Sequence, residues 1–201
     1  MIYIVRHGQT AHNHANLLQG RSDFPLNEKG TKQAMAVGAW FRNHGIHFDA
    51  VYSSPLQRAI QTAALIAGDA VDIQMDERLI EMDYGPYEGL DLTKPAPELL
   101  AFFRDFVHTP APAGMEPLEA VTERLGAFLE AHRAEADSKI LLISTHAIAM
   151  KGALEYLTPQ SQGSYWSKYI GNCAVYQVPV TGGAFGIPYE LSMEPAAPGE
   201  G

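Results

Sequence analysis

Three apolar runs, each giving way to residues that can do chemistry, constrain this chain more than any other feature. IYIV (2–5) stops at Arg6 and His7. DAVYSS (49–54) runs into a helical stretch carrying Arg58, and KILLIST (139–145) stops at His146. Runs of this length and apolarity read as strands buried in a sheet. Between them lie helical patterns. PLNEKGTKQAMAVGAWFRNHG (25–45) has Asn27 as N-cap, Ala34, Val37 and Phe41 at helical spacing, and Gly45 past its end. PLQRAIQTAALIAG (55–68) places Pro55 in a first turn. Val121, Leu125, Phe128 and Leu129 mark a long helix over about 117–136, and AIAMKGALEYL (147–157) marks another. VDIQM (71–75), AVYQVPV (174–180) and a run near 185–193 read as further strands. Strands alternating with helices predict an α/β fold: a mostly parallel central sheet flanked by helices on both faces.

An apolar fraction of 46% in 201 residues is enough for one sizeable core. The expected organisation is a single domain over 1–193 and a loose tail, EPAAPGEG, over 194–201. The segment 90–116 is irregular and proline-rich (Pro95, Pro97, Pro110, Pro112), and is the candidate for a lid, with a plain surface insertion as the alternative. The net charge of −9 argues against nucleic acid or an anionic membrane as partner. An anionic substrate would therefore need a local basic focus. Cys173 is the single cysteine, which excludes an internal disulfide and suits a cytoplasmic protein. The N-terminal apolar stretch is too short for a signal peptide, and no run is long enough to span a bilayer.

Ligands of open parallel sheets bind beyond the carboxyl ends of the strands. Those ends here deliver Arg6, His7, Arg58 and His146, and the third strand is followed by an acidic stretch, DERLIEMDYGPYEG (76–89). Neighbouring strand residues point to opposite faces, so Arg6 and His7 can serve one site only where the strand ends and the backbone turns. Gly8 permits that turn and a close approach of the backbone to a ligand. Thr10 and Asn13 add neutral donors.

With RHG (6–8), Thr10, Asn13, QGRSDFPLNEKG (19–30), SSPLQRAIQTA (53–63), RLIEMDYGPYEG (78–89) and STHA (144–147) in this order, the chain resembles the histidine phosphatase superfamily. These are the phosphoglycerate mutase-like proteins, and the pattern is similar to their broad-specificity phosphatases. The resemblance implies a three-layer sandwich. It implies His7 as the nucleophile that takes the phosphoryl group, Arg6, Arg58 and His146 as a phosphate clamp with Asn13 as a further donor, and Glu81 as the proton donor. Thr10, Gln19, Gly20 and Arg21 are the further candidates for phosphate or substrate contact. No metal or cofactor is implied. Gln9, Tyr87, Ala147 and Met115-Glu116-Pro117 depart from the commoner residues of the family without removing a catalytic group.

The expected function is metal-independent hydrolysis of a small phosphorylated metabolite through a phosphohistidine on His7. A mutase, or an inactive relative that binds phosphorylated ligands, are the alternatives. The stretch between Glu81 and His146 is short and holds few basic candidates (Lys94, Arg104, His108), which favours the phosphatase. Asp83 is the second choice of acid, and Glu88 reads as a carboxylate holding a turn. His12 and His14 lack the carboxylate or cysteine context of a metal site. Phe102, Phe103 and Phe106 read as core before pocket lining. His44, His47, His108 and His132 stand outside any constellation, and Cys173 reads as a small buried hydrophobe. The oligomeric state stays open, a homodimer included.

Overall fold

The computed structural model describes residues 1–68 and 71–193, so the expected tail over 194–201 lies outside the described residues. In chain order the elements are β1 (Ile2–Arg6), α1 (Ala11–His14), α2 (Glu28–Asn43), β2 (Ala50–Ser53), α3 (Gln57–Ala67) and β3 (Ile73–Met75). Then follow α4 (Pro97–Arg104), α5 (Leu118–Ser138), β4 (Leu141–Thr145), α6 (Ala147–Leu157), β5 (Val175–Val178), β6 (Val180–Thr181), β7 (Ala184–Phe185) and β8 (Tyr189–Glu190). Six strands form one sheet in the order β3-β2-β4-β1-β5-β8. The first four run parallel, and β5 and β8 each pair antiparallel with their neighbour.

Alternation along β1 explains the layers. Ile2 and Ile4 face one core, which α5 and α6 close with Val121, Leu125, Phe128 and Leu154. Tyr3 and Val5 face the other, which α2 and α3 close with Val37, Phe41, Ala63 and Ile66. The Tyr3 ring meets Phe41 edge-on at 5.0 Å between centroids. The result is a three-layer α/β sandwich.

Several local expectations hold. Asn27 caps α2, its side-chain oxygen accepting from the Gly30 N–H at 2.8 Å. Gly45 lies past the end of α2 with φ of 67°. Others are corrected. Pro55 is not in the first turn of α3, which begins at Gln57; Asp23, far away in sequence, accepts the Gln57 N–H at 2.7 Å and fixes that start. The run 174–180 is not one strand. Pro179 has no N–H to donate, β5 ends at Val178, and Val180 begins a separate hairpin with β7. The run near 185–193 divides likewise between that hairpin and edge strand β8. The segment 90–116 contains α4, and Leu99 and Phe102 are fully buried there.

Register positions the chemistry. Arg6 of β1 stands opposite Thr145 of β4, so His7 and His146 leave the sheet side by side. Their ring centroids are 5.1 Å apart. β2 lies on the other side of β4 and feeds Ser54 and then Arg58 to the same edge. Gly8 follows the strand end. A Cβ on Gly8 would collide with the Gly30 carbonyl in the first turn of α2, and a Cβ on Gly30 would collide with the Gln9 carbonyl. The glycine is required by a helix pressed against the loop.

Candidate active site

The His7 ring is set by its two nitrogens. Nδ1–H donates to the Gly8 carbonyl at 2.7 Å, which leaves the Nε2 lone pair to accept from Arg58 Nε at 3.2 Å. That N–H is shared, because His146 Nδ1 also lies 3.2 Å from Arg58 Nε. His146 Nε2–H then donates to Ser54 Oγ at 2.7 Å. Both imidazoles are thereby assigned as neutral tautomers around one guanidinium.

Arg58 is fully buried, and its remaining contacts hold it rigidly. Nη1 donates to the Ser22 carbonyl and Nη2 to the Gly20 carbonyl, both at 2.6 Å. The Glu88 carboxylate grips the same loop, accepting the N–H groups of Gly20, Arg21 and Ser22 and the Ser22 hydroxyl. Glu88 thus holds a turn, as its sequence position suggested.

Burial pushes the His7 and His146 imidazoles well below the ordinary histidine range, and the charges of Arg58 and Arg6 push both further the same way. The hydrogen bond to Gly8 opposes this at His7 without reversing it. Burial also pulls the Arg58 guanidinium down to about 10, which leaves it charged at neutral pH.

A pocket of about 350 Å³ opens in front of these groups, lined among others by Arg6, His7, Asn13, Gln19, Glu81 and Lys151. Two of the lining residues each carry a buried donor without any hydrogen-bond partner: Arg6 Nε and Gln19 Nε2. Unpaired buried donors cost free energy unless something meets them. Gln19 is aimed by Thr10, whose hydroxyl donates to Gln19 Oε1 at 2.7 Å. Asn13 Oδ1 accepts from the Thr10 N–H and from Asn172 Nδ2, each at 3.2 Å. Glu81 is buried at the N-terminus of α6, where the N–H groups of Ile148 and Ala149 and that of Met82 point at its carboxylate.

The structure therefore brings Arg6, His7, Asn13, Gln19 and Glu81 to one cavity, and places Arg58 and His146 beside His7. Thr10 is fully buried and acts through Gln19 and Asn13. Gly20 lends its carbonyl to Arg58. Arg21 does not line the cavity; its guanidinium faces Asp83 at 3.3 Å and Glu116 at 3.5 Å. Asp83, the second choice of acid, is outside the cavity and accepts from the Gly85 N–H. Glu116 is bound to Arg124 at 2.7 Å. Phe102 is core, and Phe103 and Phe106 pack against that core while also lining the cavity. His12 stacks on Phe24. Cys173 is buried, with φ of 60°.

The sequence reading missed three residues. Lys151 lies in the cavity wall, Asn172 supports Asn13 and donates to the His7 carbonyl at 3.1 Å, and Tyr169 stands at the rim. Lys151 had one available signal: a single cation inside the apolar stretch of 147–157.

Comparison with known proteins agrees with this geometry. The family model described as histidine phosphatase superfamily (branch 1) matches residues 2–188. The chain belongs to this family. Among histidine phosphatase relatives, a broad-specificity phosphatase of Saccharomyces cerevisiae is 40% identical over 97 residues, 46% of this chain. That match spans 42% of the yeast protein, less than half its length. A probable phosphoglycerate mutase of Yersinia pestis is 35% identical over 183 residues, covering 88% of this chain and 83% of that one. The solved structure of YhfR from Bacillus stearothermophilus superposes with a TM-score of 0.82 at 29% identity, covering 92% of this chain and 94% of the other. Among the described residues no helix is long and apolar enough to cross a membrane.

Proposed function

We propose that the protein is a phosphomonoesterase that hydrolyses a small phosphorylated metabolite through a phosphohistidine on His7. The observation that carries this reading is that two residues lining the cavity with His7, Arg6 and Gln19, each keep a buried donor without a partner, Nε and Nε2. Such donors suit the oxygens of a phosphoryl group. His7 Nε2 attacks phosphorus, the ester P–O bond breaks, and Glu81 gives the leaving oxygen its proton. Water then attacks the phosphohistidine, Glu81 takes the water's proton, and phosphate leaves with His7 neutral again. The Arg58 N–H that the Nε2 lone pair now accepts stands on the attacking side of the ring, so it passes to a phosphoryl oxygen as the N–P bond forms. His146 acts one step further back, holding the same Arg58 N–H and Ser54.

Lys94, Arg104 and His108 do not line the cavity, and His108 is engaged with Asp105. Little in the segment 90–116 is available to hold a doubly anionic intermediate, which supports the phosphatase over the mutase. The name of the Yersinia pestis relative keeps the mutase as the second reading. Within the proposal the segment 90–116 forms a wall over the cavity through Leu92, Phe103 and Phe106.

The test is hydrolysis of para-nitrophenyl phosphate in excess chelator by the natural protein and by His7→Ala. The expected result is activity that survives chelator and vanishes in the variant. Activity retained by His7→Ala, or abolished by chelator, would overturn the proposal.

A further inference from the structure

A second cavity, of about 420 Å³, lies where α5 begins, between the residues that follow α4 and the 163–166 turn. Small-molecule sites occupy about 300–1,000 Å³, so its size suits one compact ligand. Phe106, Leu118 and Trp166 supply its apolar wall. Phe106 also lines the His7 cavity, so the two share that residue. Nothing in the reaction just described uses this space.

Three of its polar groups lack partners. Glu119 and Glu123 stand one turn apart on α5, both exposed, and both line the cavity. Like charges at that spacing repel. Among the described residues neither carboxylate faces a cation within 4.0 Å. The two other glutamates of this helix do: Glu130 pairs with Arg133 at 3.2 Å and Glu135 with Lys139 at 3.0 Å. The third group is Trp166, which is only 7% exposed. Its hydrogen bonds run through its backbone: its N–H donates to the Gly163 carbonyl at 3.1 Å, and its carbonyl accepts from Lys151 Nζ at 2.7 Å. The indole N–H meets no acceptor among the described residues, although a buried indole ordinarily finds one. A Cβ built on Gly163 would stand 3.5 Å from Trp166 Cδ1, the carbon bonded to the indole nitrogen. That edge of the ring therefore faces Gly163, itself a wall residue of the cavity.

We propose that this cavity binds a small organic ammonium compound. The ammonium sits between Glu119 and Glu123, the apolar body lies against Phe106, Leu118 and Trp166, and an oxygen of the ligand accepts the indole N–H. Charge decides the class. An anion would meet two carboxylates, and a neutral apolar molecule would leave both carboxylates and the N–H unmatched. The proposal stands apart from the phosphatase reading, since Glu119, Glu123 and Trp166 do not line the His7 cavity.

Calorimetry on the natural protein at low salt compares four probes of one shape. Tyramine carries both polar groups, 4-ethylphenol lacks the ammonium, phenethylamine lacks the oxygen, and 3-(4-hydroxyphenyl)propionate reverses the charge. Tyramine is expected to bind about fivefold or more tightly than 4-ethylphenol, with the anion weakest and the preference shrinking as salt is added. It should also bind a few-fold more tightly than phenethylamine. Glu119→Gln combined with Glu123→Gln, at two exposed positions, should erase the preference for the amine. Glu28→Gln, an exposed glutamate on α2, should leave it unchanged. Trp166→Phe should erase the difference between tyramine and phenethylamine. Equal binding of tyramine and 4-ethylphenol by the natural protein overturns the proposal without any variant having to fold. So does a preference that survives the double glutamine variant. Competition between tyramine and inorganic phosphate would overturn it too, by placing the amine in the His7 cavity.

Discussion

Burial and the neighbouring arginine charges keep His7 and His146 neutral, and two measurable consequences follow. Protonating His7 would remove its attacking lone pair, and its pKa lies well below the ordinary value near 6.5. The acid limb of kcat/KM is therefore expected below the usual histidine range, with rate retained from pH 7 to about pH 6. Stability follows the same groups. The unfolded histidines protonate near pH 6.5, whereas the folded ones resist until lower pH, so acid favours unfolding throughout that window. Urea titrations at pH 7.5 and 5.5 should show stability falling with acid, by up to about 1.4 kcal/mol per pH unit for each histidine. His146→Gln should lose part of that dependence; an unchanged slope would contradict the assignment. Residues of this kind were legible beforehand, because Arg6, His7 and His146 each interrupt an apolar run at its carboxyl end. Lys151 was not. Its signal, one cation on an apolar helix, is the same for a solvated lysine and for one facing a cavity. Asn172 was illegible for another reason: its partners lie 159 and 165 residues away in sequence.

Elements were readable where a period or a cap fixed them and misread where long-range contacts decided. Asn27 both caps α2 and donates to Gln9 Oε1 at 3.0 Å, so it ties the helix to the loop after His7. Asn27→Ala is expected to cost about 1–2 kcal/mol in denaturant unfolding, the upper part of the capping range. Phe128, fully buried between α5 and the sheet, was visible from helical spacing alone. Phe128→Ala should cost about 3–5 kcal/mol while leaving KM little changed. The start of α3 escaped because its cap, Asp23, belongs to a distant loop. Pro179 carried a readable warning, since a strand interior has no place for it. Glu88 shows how a loop serves the site at one remove. Glu88→Ala releases the 20–22 loop that supports Arg58, and kcat should fall by tenfold or more while the protein remains folded. Circular dichroism beside steady-state kinetics checks both halves of that statement.

At the scale of the whole molecule, the net charge of −9 and an anion site are reconciled by segregation. Arg58 and Lys151 are buried and Arg6 is half-buried around one end of the sheet, where ions in solution screen them little. The two halves of the cavity also differ in origin. The strand ends β1, β2 and β4 carry the groups proposed for chemistry, and α4 with the segment around Trp166 and Tyr169 supplies the rim. That division made the fold and the reacting groups legible while hiding the substrate. Strand ends are marked by apolar runs, and rim side chains are not. The abutment of Gly8 on Gly30 adds a mechanical consequence. No side chain cushions the contact, so the loop after His7 and the first turn of α2 must shift together. Helix α2, whose outer face carries the exposed Met35, is in that sense a lever with its short arm on His7. A load applied at the protein's surface reaches the His7 loop with almost no slack.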